Sequence, residues 1–146
     1  MGYKVKLNLG GGLIEKKDFV NVDILKGADI EHDLNKAPYP FKNDSIDFIF
    51  CSHTLEHLKE PEIFFNEVQR ILKKGARCQI VVPHYKHPWA YSNFGHRGFY
   101  EPNAIDNVCV DDGHIVKTPF KLILTSIRHR NKMFWMPKEI IWVIEK

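Results

Sequence analysis

The sequence predicts an α/β fold with a mostly parallel sheet and an antiparallel closing edge, and three observations carry that expectation. Between residues 45 and 82 a nearly continuous apolar run, an amphipathic helical pattern and a second β-branched run follow one another. Near the start, an apolar alternation (Val5, Leu7, Leu9) enters three glycines (Gly10, Gly11, Gly12), and a second alternation (Phe19, Val20, Val22) delivers Asp23. Near the end, Lys121 to Ile127 and Glu139 to Ile144 read as two strands joined by R-H-R-N-K-M-F-W-M-P, a hairpin connection.

Bulk composition fits one soluble domain spanning residues 1–146. A chain of that size buries roughly 68–70% of its unfolded surface, enough for a true core. A net charge of +3, with the basic residues spread out, favours solvated faces over a polyanion site and gives a nucleic-acid partner no support. Cys51, Cys78 and Cys109 are odd in number and widely spaced, so neither a disulfide framework nor a zinc motif is expected. With no secretory or membrane-spanning segment in the pattern, the expected setting is cytoplasmic, and an oligomer is compatible with it.

In chain order, Val5 to Asp23 reads as strand, glycine turn and strand, a unit in which a ligand touches backbone and a carboxylate waits for a sugar's hydroxyls. Ala28 to Asp33 is a third strand ending at an acid, and Asn35 to Pro40 is a loop because two prolines forbid regular structure. Ser45 to Ser52 has the apolar continuity of a strand covered on both faces. Pro61 opens a helix whose face carries Phe64, Val68, Ile71 and Leu72, with Lys73, Lys74 and Gly75 as its cationic last turn and stop. Ala76 to Val82 is the next strand. His84 to Pro119, rich in aromatics, histidines and prolines, reads either as an irregular connection with a helix near Pro102 to Val110 or as a substrate lid over the strand ends.

In such a sheet ligands bind outside the carboxyl ends of the strands, where strand order reverses. Asn8 with the glycines, Asp23, Asp33, Ser52, His53 and His84 stand at those ends, a set that favours a nucleoside-bearing ligand.

The series L-N-L-G-G-G, N-V-D-I, H-D-L, P-Y-P-F-K-N-D-S-I-D-F-I-F-C-S-H-T-L-E-H-L and R-I-L-K-K-G-A-R-C-Q-I-V-V-P-H, from about Lys4 to His84, resembles the class I S-adenosylmethionine-dependent methyltransferases of the methyltransferase-11 type. The resemblance implies a Rossmann-like doubly wound sheet of roughly seven strands in three αβα layers, S-adenosylmethionine as cofactor, and transfer of its methyl group to a small or medium-sized acceptor. It also implies that Gly10, Gly11 and Gly12 line the methionine portion of the cofactor together with Asn8. Asp23, with Ile24 beside it, would hold the ribose, Asp33 and Leu34 the adenine, and Ser52 and His53 would border the transferring methyl. Two departures stand out: Asn8 occupies a position where many members carry an acid, and Gly12 to Asp18 leaves room for about two helical turns.

Methyl transfer needs an in-line nucleophile held close, so positioning supplies much of the rate and proton removal helps a hydroxyl acceptor. His53 is the candidate catalytic base or orienter and His84 the second candidate; the plainer role for His53 is to cap a strand. His53 to His57 also spells H-x-x-E-H, a zinc-protease signature that requires one continuous helix. Because His53 directly follows a strand, and because His84, His87, His96 and His114 match no ligand spacing, no metal site is expected. Nicotinamide binding fails on Glu15, which stands where the dinucleotide fingerprint needs its third glycine. The alternative to an enzyme is a non-catalytic S-adenosylmethionine-binding domain that partners another subunit.

Overall fold

The computed structural model describes residues 4–110, 114–129 and 137–146. Its seven strands are β1 (Lys6–Leu9), β2 (Val20–Asp23), β3 (Ile30–Glu31), β4 (Ile46–Ser52), β5 (Leu72–Pro83), β6 (Lys121–His129) and β7 (Pro137–Glu145). They form one sheet in the order β3-β2-β1-β4-β5-β7-β6. Neighbours from β3 to β5 pair in parallel, and β7 runs antiparallel between β5 and β6. The mostly parallel α/β class is therefore observed, with the antiparallel strand one place inside the edge. The connection between β6 and β7 falls on residues 130–136, outside the described residues.

From β1 the chain steps outward to β2 and β3, then crosses back to the other side of β1 as β4. Strand order reverses between β1 and β4, and a crevice opens where their carboxyl ends diverge. Leu7, Leu9, Val22, Ile49, Cys51, Ile80, Val82, Ile140 and Ile144 are all fully buried on this sheet. Removing such side chains from water supplies roughly 1.5–3 kcal/mol each, the main term that holds the strands in register.

The segment between β1 and β2 contains turns and no helix: Ile14 N–H donates to Gly11 O at 3.2 Å and Phe19 N–H to Lys16 O at 3.0 Å. The departure read in the sequence is thus carried to its limit, and no helix dipole points at the crevice from this side. The third strand is shorter than Ala28 to Asp33. Asp29 and Asp33 divert it, one accepting from Asn21 N–H and the other closing on Asn35 N–H, so only Ile30–Glu31 pairs with β2.

Helix α1 (Pro61–Ile71) begins at the expected proline and buries Phe64, Phe65, Val68 and Ile71. Its expected end is corrected. Leu72 is already extended at φ −64° and ψ 139° and pairs with Ile46, so Lys73, Lys74 and Gly75 belong to an irregular start of β5. Burying Leu72 in the sheet outweighs the helix-ending signals. Lys73 Nζ instead reaches Asp47 Oδ1 at 2.8 Å, and Gly75 N–H donates to Lys146 O from a left-handed φ of 77°.

After β5 come helix α2 (Trp89–Ser92), a 3₁₀ turn at Pro102–Ile105 and helix α3 (Asp106–Cys109), close to the helix expected near Pro102 to Val110. Among the described residues α1 alone exceeds four residues, so the helical layers are thin. Trp142 Nε1 donates to Pro102 O at 2.8 Å, and Gln69 Nε2 to Thr118 O at 3.1 Å, which fastens this long connection to sheet and helix. No helix of the described residues is long and apolar enough to cross a membrane.

Candidate active site

Gly10 and Gly12, at the end of β1, adopt left-handed φ values of 71° and 62° that side chains disfavour. A Cβ on Gly10 would run into Thr54, whose Cβ lies 2.7 Å from that position, and one on Gly11 would run into Asn8 and Asn21. Gly12 faces open space. The triplet therefore combines two tight internal contacts with one bare stretch of backbone that a ligand can approach.

Asp23, buried at the end of β2, accepts Gly12 N–H at its Oδ2 (2.8 Å) and Leu25 N–H at its Oδ1 (2.9 Å). The carboxylate ties the glycine turn to the next loop and keeps spare lone pairs on each oxygen for further donors. Asn8 is buried beside it, donating to Asn21 Oδ1 at 3.2 Å, and Asn21 Nδ2 donates to Gly12 O at 2.6 Å. Here the chain has an amide pair bracing the turn. Asp33 accepts the backbone and side-chain amides of Asn35, both at 3.0 Å, and those bonds hold its pKa below the usual carboxylate range.

Three clefts meet here. The first, of about 500 Å³, is lined by Gly10, Asp23, Ile24, Asp33, Leu34 and His53 among the expected residues. The second, about 560 Å³, gathers Asn8, Gly10, Gly11, Gly12, Ser52 and His53. The third, about 370 Å³, lies between His53, His57 and Pro83 on one side and Trp89, Ser92 and His96 on the other. All ten residues expected at the cofactor thus border the first two clefts, and His53 borders all three.

His53 leaves β4 at a left-handed φ of 53° and is held from both sides. Its Nδ1 lies 3.4 Å from Glu56 Oε1 and its Nε2 3.1 Å from Glu139 Oε1. Contact with Glu56, opposed by partial burial and assisted by Glu139, lifts its pKa above the ordinary histidine value. With a carboxylate against each ring nitrogen, the imidazole is held in place, which suits orientation of a partner in the clefts. His84 borders none of the three clefts. It is buried after β5, its Nδ1 accepts Lys86 N–H at 3.1 Å, its ring stacks on Tyr85, and burial lowers its pKa.

The H-x-x-E-H reading fails on geometry: His53 ends a strand, and Leu55–His57 is a separate 3₁₀ turn. Sequence reasoning passed over Thr54, whose hydroxyl lies within 3.1–3.3 Å of the carbonyls of Leu9, Gly10 and Ser52 and whose side chain fills the space a Gly10 Cβ would need. It also left His32, Asn35 and Leu58 out of the first cleft. No local pattern marks Thr54, because its role exists only once β1 and β4 are paired.

Residues 15–80 match the family described as the methyltransferase domain. Among solved structures, an S-adenosylmethionine-dependent methyltransferase from Archaeoglobus fulgidus superposes with a TM-score of 0.71 at 13% identity, covering 99% of this chain and 87% of that one. The Burkholderia thailandensis 1,6-didemethyltoxoflavin-N1-methyltransferase, solved with 1,6-didemethyltoxoflavin and S-adenosylhomocysteine, gives 0.66 at 14% identity, covering 97% and 70%. A complex between the Haloferax volcanii Trm112 methyltransferase activator and a methyltransferase gives 0.66 at 14% identity, covering 98% and 82%. No curated protein sequence matches. The Rossmann-like fold expected from the motif series is thereby established, and the resemblance to class I methyltransferases is borne out.

Proposed function

We infer that this chain, which carries a methyltransferase domain of the class I S-adenosylmethionine-dependent kind, binds that cofactor and transfers its methyl group to a small or medium-sized acceptor. The observation that carries the reading is the position of His53, where a nucleoside-sized cleft, a glycine-lined cleft and a third cleft converge. When bound, the cofactor supplies an electrophilic methyl on a sulfonium, and the chain's task is to hold both partners.

The residues fit that task. Asp23 has unused acceptor capacity for the ribose hydroxyls, Asp33 accepts a donor at the adenine end, and Ile24 and Leu34 give that end apolar walls. Gly12 lets backbone come close where no side chain intrudes, and Asn8 with Ser52 borders the amino-acid end. The third cleft takes the acceptor, and its modest volume argues for a small one. The segment 84–119 closes that cleft through Trp89, Ser92 and His96, which supports its reading as a substrate cover. His53, braced by Glu56 and Glu139, keeps its ring fixed at the junction and positions the acceptor.

Parallel calorimetric titrations with S-adenosylmethionine, S-adenosylhomocysteine and NAD test the reading. Micromolar binding of the first two and none of the third is expected. Folded protein that binds neither sulfur nucleoside would overturn it.

A further inference from the structure

We propose that Glu56, His57 and His96 bind one divalent transition-metal ion, Zn²⁺ foremost, on the floor of the third cleft. One ligand atom from each residue lies within 4.8 Å of the other two. Bonds of roughly 2.0–2.2 Å would require ligand atoms about 3.4 Å apart, so the set must contract by up to about 1.4 Å. Side-chain rotation can supply that, since both histidines sit on short turns and loops rather than on the sheet.

The protonation pattern favours the metal. His57 Nδ1 lies 3.1 Å from Gly95 O and His96 Nδ1 lies 2.9 Å from Ala90 O. A carbonyl only accepts, so each Nδ1 carries a proton, and the nitrogen available to a metal on each ring is Nε2. A ligand histidine whose other nitrogen donates to backbone has this arrangement. Glu56 supplies the charge. It is fully buried, and neither of its carboxylate oxygens has a hydrogen-bond partner among the described residues. Its neighbours are His53 Nδ1 at 3.4 Å and His96 Nε2 at 4.0 Å, both beyond good hydrogen-bond length. Apart from the 3.4 Å pairing with His53, this buried carboxylate has no compensating charge at close range, and a cation between it and two imidazoles would supply one.

The two donor segments are already locked together. Glu56 O accepts Arg97 N–H at 2.7 Å and Gly98 N–H at 3.0 Å, while Gly95 lies so close to His57 that an added Cβ would stand 3.1 Å from its Nδ1. Two imidazoles and one carboxylate leave coordination positions open, and these face the cleft. If the cleft takes the methyl acceptor, which rests on the function inferred above, an acceptor oxygen or nitrogen can occupy such a position. The metal site itself does not depend on that function.

Tag-free full-length protein, stripped with a chelator and dialysed, is titrated with Zn²⁺ against a chromophoric competitor, and with Co²⁺ while recording visible absorption. One equivalent is expected to bind, with the d–d bands of a nitrogen and oxygen site. Glu56→Gln and His96→Ala should each weaken Zn²⁺ at least tenfold, whereas His114→Ala should leave it unchanged. Circular dichroism and S-adenosylhomocysteine titration of each variant report its fold, and His96→Ala decides the matter if Glu56→Gln is unfolded. Substoichiometric uptake by the parent protein, or equal affinity in His96→Ala and His114→Ala, overturns the proposal. Either result with nucleoside binding intact defeats the metal site and leaves the methyltransferase reading standing.

Discussion

Replacing Gly10 by alanine tests how the glycine turn is built, because its neighbour Gly12 provides an internal control. Both have left-handed φ, 71° and 62°, so an alanine at either costs about 1–2 kcal/mol in backbone strain. At Gly12 the new methyl meets nothing within 4 Å, and the cost ends there. At Gly10 it overlaps the Thr54 side chain, which must move away from the carbonyls it contacts at the ends of β1 and β4. Losing that hydrogen bond adds about 1 kcal/mol, and displacing packed atoms adds about 1–3 kcal/mol. Urea unfolding should therefore show Gly10→Ala destabilised by about 3–6 kcal/mol and Gly12→Ala by about 1–2 kcal/mol. In the double variant Gly10→Ala with Thr54→Gly, the overlap is removed and a favourable coupling of about 1–2 kcal/mol is expected. Equal losses at Gly10 and Gly12, or additive behaviour in the double variant, would refute the contact-based account.

Three further outcomes follow from the geometry. Asp23→Asn leaves one of two backbone N–H donors facing an amide donor, so S-adenosylhomocysteine affinity should fall roughly 10–100-fold, about 1–3 kcal/mol, in calorimetry. Tyr39 donates its hydroxyl to Leu34 O at 2.8 Å from a buried position, so Tyr39→Phe should cost about 1 kcal/mol in urea unfolding by freeing the wall of the first cleft. Burial raises the Glu67 pKa, but the Arg70 guanidinium and Tyr39 N–H outweigh it, leaving the carboxyl below its ordinary value. That contribution is complete above the unfolded pKa of about 4.3 and is lost as pH falls through the lower folded value. Glu67→Gln should thus cost about 3 kcal/mol near neutrality, and the gap to the parent protein should narrow below about pH 4, as followed by denaturation at a series of pH values.

Period-two alternation made β1 and β2 readable, since Leu7, Leu9 and Val22 bury themselves through the pleat, and apolar continuity did the same for β4, which buries Ile49 and Cys51. Pro61 likewise marked the start of α1 because its fixed φ suits a first turn. The end of that helix was hidden, because Leu72 is drawn into the sheet by Ile46, a partner 26 positions earlier that no local window contains. The same limit applies at the site. The ten residues expected at the cofactor came from strand ends and from the motif resemblance, both readable locally, whereas Thr54 under Gly10, Glu139 against His53 and His96 beside Glu56 depend on pairing across the fold. His84 shows the converse: its position after a strand suggested chemistry, while the fold buries it with its ring on Tyr85 and its Nδ1 accepting Lys86 N–H.

A crystal structure of the protein with S-adenosylhomocysteine addresses the central claim most directly. The nucleoside should lie in the first cleft, with its ribose hydroxyls on Asp23 and its base between Asp33 and Leu34, and its amino-acid end should reach the glycine turn beside Asn8 and Ser52. The sulfur should face His53 and the third cleft. Density for the ligand elsewhere, or with its ribose away from Asp23, would contradict the account.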